Sequence, residues 1–171
     1  MATLHLLTGP WGAGKTTLVP LVAELLPEAV VFDWDVLLPG LSAAAGKDAH
    51  RAPSTWNGLR ELWIAIVRAV LAGGRDVRLC GPARPEDFAA SGIPSIRCAY
   101  LDGADDVLAR RLRARGEREA DVADEFADMA ALRASGHVPL RADGRTPRQL
   151  AGDVAAWARA ARVHPPPSTQ A

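Results

Sequence analysis

One run constrains this chain more than any other: Leu6-Leu7-Thr8-Gly9-Pro10-Trp11-Gly12-Ala13-Gly14-Lys15-Thr16-Thr17-Leu18. From Gly9 to Thr16 it has the spacing G-x-x-x-x-G-K-[ST], that of a turn whose backbone N–H groups surround a polyphosphate. Gly9, Gly12 and Gly14 carry no Cβ, so the backbone there can take torsions closed to other residues and approach phosphate oxygens. Ala13 and Thr17 extend the run of N–H donors. Lys15 is a point charge for β- and γ-phosphates, and the Thr16 hydroxyl suits a magnesium ion. Leu4 to Leu7 reads as a buried strand before the turn, and Leu18, Val19, Leu21, Val22 and Leu25 follow at helical spacing. This strand, loop and helix order separates the motif from a chance glycine-rich turn, and the helix start adds its positive end to anion binding.

A chain of 171 residues fits one compact domain, with no room for a second. Lys plus Arg equals Asp plus Glu at 20 each, so no global field draws the protein to nucleic acid or to a membrane surface. Cys80 and Cys98 lie in apolar runs as small buried hydrophobes and lack the spacing of a zinc site or disulfide framework. No apolar segment reaches membrane-spanning length, and the run before Gly9 is short for a signal peptide, which predicts a cytoplasmic protein. The segment 163–171, with Pro165 to Pro167, reads as a mobile tail. The spacing is silent on oligomeric state.

Further along, Pro27 stops the first helix and Ala29 to Phe32 forms a second strand that delivers Asp33-Trp34-Asp35 at its carboxyl end. In an extended segment these two carboxylates point the same way and can face the phosphates; the alternative is a cap for the next turn. Residues 39–54 read as a loop or a short mobile helix pair, with His50 and Arg51 either touching a substrate or simply hydrated. Ser54 or Thr55 is expected to cap a helix to about Leu71. Arg60 and Trp63 share one of its faces, either gripping a substrate or serving as a snorkelling cation and a core ring.

Val77 to Cys80 is a third strand, and Pro85 is placed to start a helix. That strand ends without an acidic residue, so a metal-side carboxylate has to come from elsewhere, and Asp33 is the candidate. Arg84, at this strand's carboxyl edge, is preferred over Arg51 as a substrate contact. Ile96 to Leu101 is a fourth strand, followed by a helix from Asp102 or Gly103 to Arg115. In it Arg111 and Arg115, four apart on one face, either border a nucleotide or complement the helix dipole. Between Glu117 and Ser135 a helix is expected with Asp121, Asp124, Glu125 and Asp128 on a solvated side. Val138 and Leu140 form a weak fifth strand, and Thr146-Pro147 opens a last helix to Arg162, after a turn suited to lie beside a nucleotide base.

Strands alternating with helices define a three-layer α/β domain with a parallel sheet of about five strands. On the strength of Gly9 to Thr17, Asp33-Trp34-Asp35-Val36-Leu37, and Tyr100-Leu101-Asp102 leading to Arg111-Leu112-Arg113-Ala114-Arg115, the chain resembles the small-molecule kinases of the P-loop NTPase fold. This is the nucleoside and nucleotide kinase-like group that includes chloramphenicol phosphotransferase, shikimate kinase and gluconate kinase. The resemblance implies strand order 2-3-1-4-5 and a kinase domain over residues 1–162 with a helical lid around 117–130. It also implies a cofactor of ATP, or GTP in its place, with Mg2+. Asp35 would meet the acceptor hydroxyl, Asp33 would hold magnesium directly or through water, and Arg111 and Arg115 would border the nucleotide.

The implied reaction is transfer of the γ-phosphoryl group to a hydroxyl of a small metabolite such as a nucleoside, an antibiotic or a sugar derivative. Lys15, Asp35 and Arg115 are its candidate catalytic residues, and Trp34, Asp35, Arg60 and Arg84 its candidate substrate contacts. Cys80-Gly81-Pro82 replaces the triple glycine of shikimate kinases, which argues against shikimate itself. Two other readings are a nucleotide-driven switch without an acceptor and a polynucleotide 5′-hydroxyl kinase. The lack of an N-K-x-D segment and of a third-strand Asp counts against the switch, and the balanced charge counts against a nucleic-acid substrate.

Overall fold

In a computed structural model describing residues 1–46, 49 and 52–160, five strands form one parallel sheet. Strand β1 (Leu4–Thr8) is buried at every position and lies between β3 (Val77–Cys80) and β4 (Ile96–Asp102), with Leu6 opposite Leu79 and Cys98. Strands β2 (Val30–Asp33) and β5 (Val138–Arg141) close the edges, giving the order β2-β3-β1-β4-β5 that the family resemblance implies. Pro139 is accommodated in β5 because an edge strand leaves one row of backbone groups without ladder partners.

Alternation along β1 builds the layers. Leu4 and Leu6 pack with Leu59, Trp63 and Val67 of α3 (Pro53–Ala72), while Leu7 packs with Leu18 and Val22 of α1 (Lys15–Leu25) and with Leu150 and Val154 of α6 (Pro147–Ala160). Helices on both faces are what turn the central strands into near-continuous apolar runs. Each fully buried leucine contributes about 1.5–3 kcal/mol relative to an exposed one.

Several boundaries depart from the sequence expectation. Helix α3 opens at Pro53, and Thr55, inside its first turn, donates its hydroxyl back to the carbonyls of Ala49 and Ala52 at 2.8 and 2.7 Å. The segment from Pro85 is a single 3-10 turn (Pro85–Phe88), not a longer helix. There Asp87 accepts the Arg84 N–H at 2.9 Å as the capping box of the turn, and the Ser91 hydroxyl donates to the Phe88 carbonyl, an acceptor that a further helical turn would use. After β2 comes a 3-10 turn (Trp34–Leu37) leading into α2 (Leu38–Ala45), which ends at Gly46 in the left-handed region with φ 64°. Helix α4 spans Asp105–Ala114 and α5 spans Glu119–Ala134. Thr146 and Gln149 cap α6 reciprocally, at 2.9 and 3.3 Å. His50, Arg51, Arg162 and the expected tail 163–171 lie outside the described residues.

Within the third strand, read above only as a short strand, the structure buries a cation. Arg78 is 2% exposed; its Nη1 donates to His5 Nδ1 at 2.7 Å and its Nη2 lies 3.4 Å from Asp76 Oδ2. Asp76 also accepts the Thr3 N–H at 2.9 Å. Burial, and then the Arg78 charge, push His5 down to about 4, so its imidazole is neutral, and the ring meets Trp157 edge-on at 5.3 Å. Cys80 and Cys98 are free and buried, as expected. No described helix is long and apolar enough to cross a membrane.

Candidate functional site

The turn after β1 has the backbone its glycines permit: φ is 144° at Gly9, 78° at Gly12 and 100° at Gly14, all in the region that side-chain-bearing residues avoid. A Cβ on Gly12 would touch Leu108 and Leu112 at 3.4 and 3.5 Å, so α4 packs directly on the turn. Lys15 folds inward, its Nζ donating to the carbonyls of Gly9 at 2.6 Å and Pro10 at 2.9 Å. Burial lowers its pKa, and the carboxylates of Glu125, Asp35 and Asp33 oppose that shift, Glu125 most strongly.

A cleft of about 150 Å³ opens at the turn, lined among others by Lys15, Thr16, Thr17, Asp35, Arg115 and Glu117. A wider neighbouring cleft of about 410 Å³ runs along Gly14 and Thr17 past Arg111, Arg115 and Arg145 to Pro147. Arg111 is fixed to the turn by a bond from its Nη1 to the Gly12 carbonyl at 3.2 Å. Helical spacing thus brings both α4 arginines to the wider cleft, and the turn before α6 reaches the same place.

At the end of β2, Asp33 and Asp35 do not lie in one extended segment. Asp33 ends the strand and its Oδ1 accepts the Asp35 N–H at 3.1 Å, so it caps the 3-10 turn. Asp35 is exposed, and the narrow cleft includes it but not Asp33. Trp34 between them is 2% exposed and stacks on Trp63 with centroids 5.8 Å apart, while the Trp63 indole N–H donates to the Trp34 carbonyl at 3.2 Å. A Cβ at Gly81 would come within 2.3 Å of the Trp34 Cβ, so this glycine is what lets Trp34 pack beneath the end of β3. Trp63 is accordingly core.

Arg60 and Arg84 each have a carboxylate partner. Arg60 pairs with Asp87 at 3.0 Å, and Arg84 pairs with Asp128 on α5 at 2.9 Å.

The sequence reading missed Glu125. Placed above on a solvated side of its helix, Glu125 is in fact half-buried, and its Oε2 accepts the Trp11 N–H in the phosphate turn at 2.6 Å. Burial raises its carboxyl pKa. The signal was present in the spacing: Glu125 stands three residues after Val122 and four before Met129, both buried, and so belongs to the inward stripe. Of its three acidic neighbours, Asp121 bonds Arg118, Asp128 bonds Arg84, and Asp124 is exposed.

Comparison with known proteins separates sequence from fold. No protein-family model and no curated protein matches the sequence. Solved structures do match. The tunicamycin resistance protein of Deinococcus radiodurans superposes with a TM-score of 0.68 at 19% identity, over 92% of this chain and 96% of that one. Shikimate kinase from Acinetobacter baumannii, in complex with shikimate, gives 0.64 at 16% identity over 96% and 97%. APS kinase from Mycobacterium tuberculosis, in complex with AMPPNP and APS, gives 0.57 at 20% identity over 92% and 98%. The chain therefore has the fold of the P-loop small-molecule kinases.

Proposed function

We propose that this protein is a phosphotransferase that moves the γ-phosphoryl group of ATP to a hydroxyl of a small, uncharged metabolite. The observation that carries the reading is one cleft lined at once by Lys15, Thr16 and Arg115 and by the exposed carboxylate of Asp35. Neighbours of the same fold that are named as kinases, one of them determined with a nucleotide analogue and an acceptor, support it.

The N–H groups from Gly12 to Thr17 would hold the donor's phosphates, and the wider cleft toward Arg145 and Pro147 would take its base. Lys15 exchanges the carbonyls of Gly9 and Pro10 for phosphate oxygens, and Arg111 and Arg115 border the nucleotide. The Thr16 hydroxyl and a carboxylate of Asp33, direct or through water, would hold magnesium. They are hard oxygen donors of the kind that ion takes beside phosphate, and it would supply charge neutralisation across the β- and γ-oxygens. Asp35 receives the acceptor hydroxyl and takes its proton during in-line attack. Residues 1–162 are the kinase domain, with a helical lid around 117–130.

An uncharged acceptor follows from Arg60 and Arg84, each neutralised by its own carboxylate on a different element. A nucleoside, an antibiotic or a sugar derivative fits that description. The test is incubation with ATP, Mg2+ and a mixture of hydroxylated metabolites, read by mass. The expected result is one compound gaining a phosphoryl group, with ATP consumption dependent on it. Steady ATP turnover with no phosphorylated product would replace this reading with a nucleotide-driven switch.

A further inference from the structure

Glu125 has no part in the transfer just described, yet it holds an N–H of a residue that lines the same cleft. Trp11 sits midway along the turn between Gly9 and Gly14, where backbone amides are arranged for phosphate oxygens. Its N–H is taken at 2.6 Å by the carboxylate of a residue 114 positions away. The same carboxylate weighs more on Lys15 than Asp35 or Asp33 does. Three residues further along α5, on the same face, Asp128 holds Arg84 at 2.9 Å. One helix thus lays two carboxylates on two donors that anions would otherwise take, an amide of the phosphate turn and a guanidinium at the carboxyl edge of β3.

The rest of that stripe is apolar. Val122 packs with Leu108 and Leu112 of α4, and Met129 and Leu132 pack with Tyr100 of β4. The carboxylates are therefore presented by a docked helix.

We infer that Glu125 is a phosphate surrogate, holding the Trp11 amide in the nucleotide-free protein and giving it up to the terminal phosphate of a nucleoside triphosphate. A γ-phosphate at the turn and an ionised Glu125 cannot share one N–H, and their like charges repel. Departure of Glu125 removes the contact by which α5 holds the turn. Glu125 is a positioning residue that acts through Trp11. The inference rests on reading the turn as a nucleotide site and does not require phosphoryl transfer.

Calorimetric titration of wild type, Glu125→Gln and Glu125→Ala with AMPPNP and with ADP, both with Mg2+, tests it. Loss of one charge-assisted hydrogen bond in competition with the ligand corresponds to about a tenfold gain in AMPPNP affinity for Glu125→Ala. Glu125→Gln, neutral but still able to accept the amide, falls between, and ADP, without the γ-phosphate, changes less than about twofold. A purely structural role would weaken both nucleotides together in Glu125→Ala and leave Glu125→Gln like wild type. In parallel, AMPPNP should speed amide hydrogen exchange across residues 119–134 of the wild type, and Glu125→Ala should show the faster rate before any nucleotide is added. Equal AMPPNP affinity in all three proteins, or unchanged exchange in α5, overturns the surrogate while leaving the nucleotide site standing. No AMPPNP binding by any of them overturns both.

Discussion

Lys15 and Arg78 are both buried against this sheet, and they are held in opposite ways. Lys15, past the carboxyl end of β1, donates to two backbone carbonyls of its own loop at 2.6 and 2.9 Å, beside an open cleft. Arg78, near the amino-terminal ends of β1 and β3, is held by side chains of His5 and Asp76, with Trp157 against the His5 ring. Neutral carbonyls on a loop can be exchanged for phosphate without cost to the sheet. The partners of Arg78 are built into the strands and the residue before them, so that cluster serves the fold. A buried charge therefore indicates function through how replaceable its partners are, more than through its burial.

The largest effect that should separate the two ends comes from Lys15→Ala. Removing the charge at the transferring phosphate should lower phosphoryl transfer by about a thousandfold. The urea midpoint should not fall, since burial already disfavours the charged Lys15. Retained turnover would undo the comparison at its functional end.

Next is Asp35→Asn, at an exposed position, for which kcat should drop by about a hundredfold or more while nucleotide affinity holds. Titration calorimetry beside steady-state rates separates these, and an unchanged kcat would move the base elsewhere.

Arg78→Met probes the other end. With the buried Asp76 carboxylate deprived of the Arg78 charge, stability should fall by about 3 kcal/mol in urea, while kcat of the folded protein stays within about twofold. A large loss of kcat with little loss of stability would make this cluster functional too.

The smallest effect is a pH dependence. His5 has its pKa lowered in the folded protein to about 4 from 6.5, so the unfolded chain binds the extra proton across that window. Stability then falls as pH drops from 6.5 toward 4, by about 2 kcal/mol between pH 7 and pH 5. In His5→Gln that share of the slope should vanish from urea midpoints measured across the range, and an unchanged slope would assign it to other groups.

Much of the fold was legible because its signals are local. The phosphate turn is contiguous, apolar runs bounded by Gly and Pro mark the strands, and Arg111 and Arg115 share a cleft because four residues make about one helical turn. The failures have equally definite causes. Asp33 and Asp35 were expected in extended backbone, but a carboxylate that can accept the N–H two residues on favours a turn, and Asp33 does so. The 3-10 turn at Pro85 is short because the Ser91 hydroxyl takes the Phe88 carbonyl that a longer helix would use. Glu125 was misplaced by grouping it with its acidic neighbours when its spacing from Val122 and Met129 put it inside.

By itself, the sequence determined a glycine-rich turn between strand and helix on a parallel α/β sheet, because torsional freedom at glycine, strand hydrophobicity and helical period act over a few residues. Only the tertiary structure decided which charges meet. Trp11 and Glu125 are 114 positions apart, His5 and Arg78 are 73, and Arg84 and Asp128 are 44. No local pattern encodes such pairs; they exist because assembling the strands and helices into layers brings together side chains far apart in the sequence.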